Sequence, residues 1–177
     1  MGGVIAARRG GTAEAVDQTA FVALVEPVLP AAYRLARAML RSDIEAEDVV
    51  QEAVLKAWRH QDRFVAGSDM KPWLMAIVAN ECRRVRRSRW WSVARWASLP
   101  ESDPRPVEAR DAPGLRRAIE ALPYDQKLAI ALRYYLDLSF EEMAGVLKTT
   151  PKAAKSRTYR ALERLRLNPE VIGDERD

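Results

Sequence analysis

Cys82 and His60 are the only cysteine and the only histidine in 177 residues. A single thiol excludes an internal disulfide and any multi-cysteine metal centre, and it suits a reducing cytosol. With one residue of each kind, no Ser-His-Asp triad, Cys-His pair or histidine-based metal cluster can be assembled, and no phosphate-cradling glycine-rich loop is present. Catalytic residues, a metal, a cofactor and a small-molecule substrate are therefore not expected. Long hydrophobic runs are also missing. The apolar stretch Val4 to Ala7 is too short for a signal h-region, and no other segment reads as a transmembrane span, so a cytoplasmic protein without membrane insertion is expected.

What the chain does have is helical punctuation and clustered charge. Its formal net charge of +4 and pI near 9.4 are only mildly basic, so where the charge sits matters more than its sum. The stretch from Ser139 to Leu167 marks two helices and a turn. Ser139 and Glu142 form a capping box ahead of Phe140, Met143, Ala144 and Leu147. Lys148 and Thr149 make the break, Thr150 is a second N-cap, and Pro151 takes the first helical position, where its missing N–H is no loss. On the second helix Ala154, Ala161, Leu162 and Leu165 face inward. Lys152, Lys155, Ser156, Arg157, Arg160 and Arg164 form a mostly cationic face. A helix-turn-helix inserts the start of its second helix into the DNA major groove. That makes Lys152, Ala153, Ser156 and Arg157 candidates for base edges, with Lys155 and Arg160 on phosphate. A solvated basic face on an ordinary helical hairpin is the alternative at this point.

Residues 1–18 lack periodicity and read as a disordered tail. From Thr19 the pattern is helical, interrupted by Pro27 and Pro30, which fits two short helices or one kinked one. Ser42 and Glu45 form another capping box. The helix that follows has an inward stripe of Ala46, Val49, Val50, Ala53, Val54, Ala57 and Trp58. Glu45, Asp48, Gln51, Glu52 and Leu55 lie on neighbouring outward positions. This acidic face is either solvated, with a Glu52 to Lys56 pair, or a dock for a basic partner. After Phe64, Gly67 and Ser68 mark a loop, and Asp69 caps a helix with Pro72 in its first turn and Trp73, Leu74, Ile77, Val78 and Val85 as its apolar stripe. That helix ends in Arg83, Arg84, Arg86, Arg87 and Arg89, followed by Trp90, Trp91 and Trp96. Cations interleaved with aromatics suit phosphate neutralisation and base stacking. Core tryptophans beside a solvated arginine run would look the same. Residues 92–113 carry Pro100, Pro104, Pro106 and Pro113 among charges and read as a flexible linker. Leu115 to Leu122 and the run from Asp125 to Tyr135 complete a second domain, and 168–177 form a polar tail. The expected fold is all-α, two small helical domains (19–91 and 114–167) with the linker between them and a helix-turn-helix in the second.

Taken together, Ala46 to Trp58, Pro72 to Arg87, Ala121 to Leu147 and Lys155 to Arg166 resemble a bacterial RNA polymerase sigma factor of the extracytoplasmic-function class. The resemblance implies a protein that binds core RNA polymerase and directs promoter-specific initiation. Asp48, Gln51, Glu52 and Leu55 would meet the beta-prime clamp helices. Phe64, Ser68, Asp69, Trp73, Asn80, Arg83, Arg84 and Arg87 would take the minus-10 element and aid its melting. Lys152, Ala153, Lys155, Ser156, Arg157 and Arg160 would read the minus-35 element, with the second domain docked on the beta flap. It also implies an anti-sigma partner. The rival from the residues alone is a stand-alone helix-turn-helix regulator. The family usually has glycine where this chain has Lys148, and a Gly-Thr-Val run where it has Lys152, Ala153 and Ala154. A non-glycine at positive φ there costs on the order of 1 kcal/mol.

Overall fold

The structure, a computed structural model, describes residues 18–65, 67–95, 113–168 and 171, with the side chains of Trp90, Trp91 and residues 92–95 and 113 left aside. All regular structure among them is helical: α1 Gln18–Val25, α2 Leu29–Leu40, α3 Asp43–Arg59, α4 Met70–Arg95, α5 Pro113–Ala121, α6 Tyr124–Ile130, α7 Phe140–Leu147 and α8 Pro151–Arg166. The tail 1–17, Trp96 and the linker residues 96–112 lie outside the described residues.

The two prolines act as the sequence suggests, dividing one apolar run into α1, a 3-10 turn over Glu26–Val28 and α2. One expectation is corrected here. Residues 18–40 form a helical stretch of 23 residues, long and apolar enough by length and composition to cross a membrane. Its apolar side chains are used for packing instead: Phe21, Val25, Ala32, Leu35, Ala36, Met39 and Leu40 are buried against α3 and α4. Phe21 meets Trp58 edge to face at 5.1 Å.

The capping box expected at the start of α3 is only half formed. Ser42 Oγ accepts from the Glu45 backbone N–H at 3.4 Å, but the Glu45 carboxylate turns to Arg89, 3.0 Å away, rather than back to Ser42. The box of α7 is complete. The Ser139 N–H donates to Glu142 Oε2 at 2.6 Å and the Glu142 N–H donates to Ser139 Oγ at 3.2 Å. Those bonds hold the Glu142 carboxyl below its ordinary pKa. Thr150 caps α8 by accepting from Ala153 N–H at 3.2 Å, and Pro151 opens it. Between them Lys148 adopts φ 50°, ψ 54°, the left-handed conformation for which glycine is the cheaper residue.

Two of the inward stripes shift. On α4 the fully buried set is Leu74, Met75, Val78, Ala79 and Cys82, while Trp73, Ile77 and Val85 are only partly buried. On α8 Thr158 is buried and Leu162 only partly so, because the Thr158 hydroxyl donates to the Ala154 carbonyl at 3.0 Å and needs no other partner. Helix α4 also continues through Arg95, past Ser92 where the linker was expected to begin.

The larger difference is tertiary. The sequence suggests two bodies on a flexible linker, whereas one hydrophobic cluster runs from Phe21 through Leu74 and Val78 to Leu132, Leu138 and Met143. Helices α1–α4 and α5–α8 thus pack on each other, chiefly α4 on α7. A small second cluster of Ala118, Leu122, Ala161 and Leu165 holds α5 on α8. Replacing Ser139 with alanine should cost about 1 kcal/mol in urea unfolding. An unchanged midpoint would mean that the box adds nothing beyond propensity.

Candidate nucleic-acid and polymerase interfaces

At 3.6 residues per turn, Trp73, Asn80, Arg84 and Arg87 fall within roughly 60° of one another on α4. They form one stripe, on the side of the helix facing away from its buried residues. The loop ahead of α4 joins this stripe through a ring contact, Phe64 against Trp73 at 5.2 Å. Gly67 supplies the positive φ of 83° that the loop requires, and Ser68 N–H donates to the Val65 carbonyl at 3.0 Å. Asp69 caps α4 by accepting from Lys71 N–H at 2.8 Å, so its carboxylate has a structural task as well. Most of the expected minus-10 set is therefore brought together.

Arg83 is the exception. It sits at the edge of the stripe, where its guanidinium pairs with Asp125 at 2.9 Å and lies over the Tyr124 ring at 5.0 Å, both from the second helical unit. Its bond to Asn80, at 3.5 Å, is at the weak limit. In this arrangement Arg83 holds the two units together rather than facing solvent with Arg84 and Arg87. The same seam carries Tyr124 OH donating to the Ala79 carbonyl at 2.8 Å and Lys71 Nζ donating to the Leu136 carbonyl at 2.8 Å.

Sequence reading missed Glu81, although a signal was there: it is the only acid between Asp69 and Glu101. Its carboxylate is buried and receives Lys56 Nζ at 2.7 Å and Arg84 Nε at 2.8 Å. Lys56 reaches Glu52 as well, at 3.4 Å. A chain of charge thus runs from Glu52 on α3 through Lys56 and Glu81 to Arg84 on α4. Burial alone would raise the Glu81 pKa, but the hydrogen bonds and charges of Lys56 and Arg84 outweigh it and hold the carboxyl below its ordinary value.

Of the outward α3 positions, Glu45 is partly buried and paired with Arg89. Asp48, Gln51 and Leu55 are exposed, with Leu55 at 49%, and Glu52 is partly buried beside Lys56. On α8, Lys152, Lys155, Ser156 and Arg160 are exposed and Ala153 and Arg157 partly buried. Lys155 Nζ lies 5.9 Å from the Tyr159 ring centre, and Tyr159, 57% exposed, is an aromatic on this face that sequence reading passed over. Trp90, Trp91 and Trp96 have no described side chains. Among the described residues no group of three or more His, Cys, Asp or Glu could hold a metal.

Residues 24–92 match the family profile described as Sigma-70 region 2, and 114–165 match Sigma-70, region 4. The chain is 32% identical over 141 residues to RNA polymerase sigma factor CarQ of Myxococcus xanthus, covering 77% of this chain and 79% of that one. It is equally identical over 141 residues to the ECF RNA polymerase sigma-E factor of Escherichia coli K12, with 67% and 71% covered. The chain belongs to the extracytoplasmic-function sigma factors. The structure of the sigma factor RpoE with the anti-sigma factor NepR from Bartonella quintana is similar at a TM-score of 0.72 and 32% identity, over 84% of this chain and 95% of that one. CnrH in complex with the cytosolic domain of CnrY gives 0.65 at 25% identity, over 92% of each. As a sigma factor the protein directs promoter-specific transcription, and the stand-alone regulator is not favoured.

The Glu81 network makes a pH prediction. A carboxyl with a folded pKa below the unfolded one stabilises the protein above the unfolded value and loses that contribution as pH falls through the folded value. Glu81→Gln should cost about 2 kcal/mol at neutral pH, and its stability should fall less steeply than wild type as pH drops below about 4.5. Parallel pH profiles would remove Glu81 from the account of acid stability.

Proposed function

We propose that this sigma factor works through three surfaces. The acidic face of α3, with Asp48, Gln51, Glu52 and Leu55, docks on the beta-prime clamp helices of core polymerase. The α4 stripe takes the minus-10 element: Phe64, Ser68, Asp69 and Trp73 receive an unstacked base, and Asn80, Arg83, Arg84 and Arg87 contact the strand. Unstacking a base costs a few kcal/mol, which stacking and phosphate neutralisation offset. The start of α8, with Lys152, Ala153, Lys155, Ser156, Arg157 and Arg160, reads the minus-35 element as duplex, while its domain docks on the beta flap. The observation that carries this reading is the gathering of Trp73, Asn80, Arg84 and Arg87 on one side of α4, apart from the α8 face.

The polymerase does the chemistry, and the sigma factor acts in the cytoplasm without catalytic activity of its own. Two relatives of similar fold were solved with an anti-sigma factor or the cytosolic domain of a second protein, which supports an anti-sigma partner for this chain. In this reading Arg83 leaves Asp125 to contact the strand, and the two helical units part on the promoter.

Run-off transcription with core polymerase, on fragments of the source genome, should give discrete start sites only when the protein is added. Absence of any specific start would reject the reading. Replacing Asp48 and Gln51 with alanine together should weaken core binding at least tenfold, about 1.4 kcal/mol or more, with duplex binding spared. Equal loss of both would mean the α3 face is misassigned. Arg157→Ala should relax minus-35 preference by about 1–3 kcal/mol; unchanged preference would strike Arg157 from the reading residues.

A further inference from the structure

Where α2 and α4 meet α5 and α6, a cavity of about 200 Å³ opens to the surface. Four cationic side chains line it, Arg41, Arg86 and Arg89 from the first helical unit and Lys127 from the second. Among the described residues Glu120 is the one acid in its wall, and it already serves two guanidinium groups, Arg41 at 3.0 Å and Arg116 at 3.4 Å. Arg89 is held from behind by Glu45 at 3.0 Å. The cations therefore outnumber the carboxylates that touch them.

Lys127 is the unusual member. It is 9% exposed, and among the described residues no carboxylate forms an ion pair with its ammonium. Buried charges are ordinarily paired, since an isolated ion loses its hydration without compensation. Burial lowers the Lys127 pKa to about 8; Glu120 raises it, and Arg41 and Arg86 lower it further. Arg41 adds a second irregularity. It ends α2 at φ 63°, ψ 19°, a left-handed conformation that costs a non-glycine residue on the order of a kcal/mol, and it lines the cavity. Met39, Leu40 and Leu122 supply the apolar part of the wall.

We propose that this cavity is a binding site for a small phosphoanion, held by the guanidinium groups of Arg41, Arg86 and Arg89 and by the ammonium of Lys127. Arg86 lies over the Tyr124 ring at 4.9 Å, and among the described residues no carboxylate pairs with it. Three guanidinium groups and an ammonium lining one small space offer more donors than the two oxygens of a single carboxylate can use, and suit the several oxygens of a phosphate group. Because the ligands come from both helical units, the site exists only while the units are packed together. A bound phosphoanion would therefore oppose their separation on the promoter. That consequence rests on the function proposed above, whereas the binding itself does not.

The test is calorimetric titration of the full chain with inorganic pyrophosphate and, in a separate arm, orthophosphate, without polymerase or DNA. One saturable site is expected, weakened at least tenfold by Lys127→Met and by Arg86→Gln. Lys127→Met replaces a buried unpaired ammonium with a side chain of similar length, so it should fold; its far-ultraviolet spectrum and unfolding midpoint check that. Saturable binding of pyrophosphate alone would assign the site to a diphosphate group, and binding of both to a single phosphate. No saturable binding in either arm, or equal affinity in a folded Lys127→Met variant, would overturn the proposal. A second readout is energy transfer between dyes on Val22→Cys in α1 and Glu163→Cys in α8, with Cys82 fully buried and its thiol pushed up to about 12. Pyrophosphate should narrow the spread of distances. Binding that leaves the spread unchanged would overturn the bridging role. Because neither readout involves transcription, their failure is distinguishable from failure of the sigma-factor reading.

Discussion

Helix α4 has to bury two adjoining faces and leave a third free, and most of the structure follows from that constraint. Leu74, Met75, Val78, Ala79 and Cys82 are all buried in the cluster that joins α4 to α2 and α3 and to α7 of the second unit. The remaining side carries Trp73, Asn80, Arg84 and Arg87. A helix buried over so wide an arc has little rotational freedom, so the cationic stripe is aimed by the core behind it. Glu81 lies at the border between core and stripe. Its buried carboxylate fixes Arg84 on one side and Lys56 of α3 on the other, which ties the orientation of α4 to that of the acidic helix beside it.

The second constraint is charge. The arginine-rich end of α4 would repel itself if left bare, and the structure distributes its cations among separate partners: Arg83 to Asp125, Arg84 to Glu81, Arg86 to the face of Tyr124, Arg89 to Glu45. Only some of these partners belong to the same helical unit. The contacts from Asp125 and Tyr124 are spent on holding the units together, and the exposed ones are of the kind worth little individually in water. Ion pairs of this kind add little to the packing of the units beyond what their apolar contacts supply. The apolar part of the seam, around Leu138 and Met143, is what makes the packed arrangement more than a set of surface ion pairs.

The helix-turn-helix shows how local rules and strain coexist. Capping residues stand at the starts of both of its helices, and the complete box at Ser139 needs no help from elsewhere in the fold. Lys148 nonetheless occupies the left-handed turn where glycine would be cheaper. The turn joins α7 to α8, which pack on each other, and that packing can offset a cost on the order of 1 kcal/mol.

Helix starts, the proline interruption near the N-terminus, the acidic face of α3 and the cationic face of α8 were all legible in the sequence, because caps, breakers and amphipathic periodicity act over one or two turns. The chain alone also carried the family resemblance, through motifs within single helices. Three things were decided only by tertiary structure. Glu45 left its box for Arg89, Glu81 became a buried hub, and Arg83 was separated from the arginines beside it to meet Asp125. Each depends on a partner more than twenty residues away, and no local rule says which of several available opposite charges a side chain will reach. The packing of the two helical units on each other, and the cavity that Lys127 shares with three arginines, were hidden for the same reason: apolar periodicity shows that a face will be buried, while what covers it is settled when the whole chain has folded.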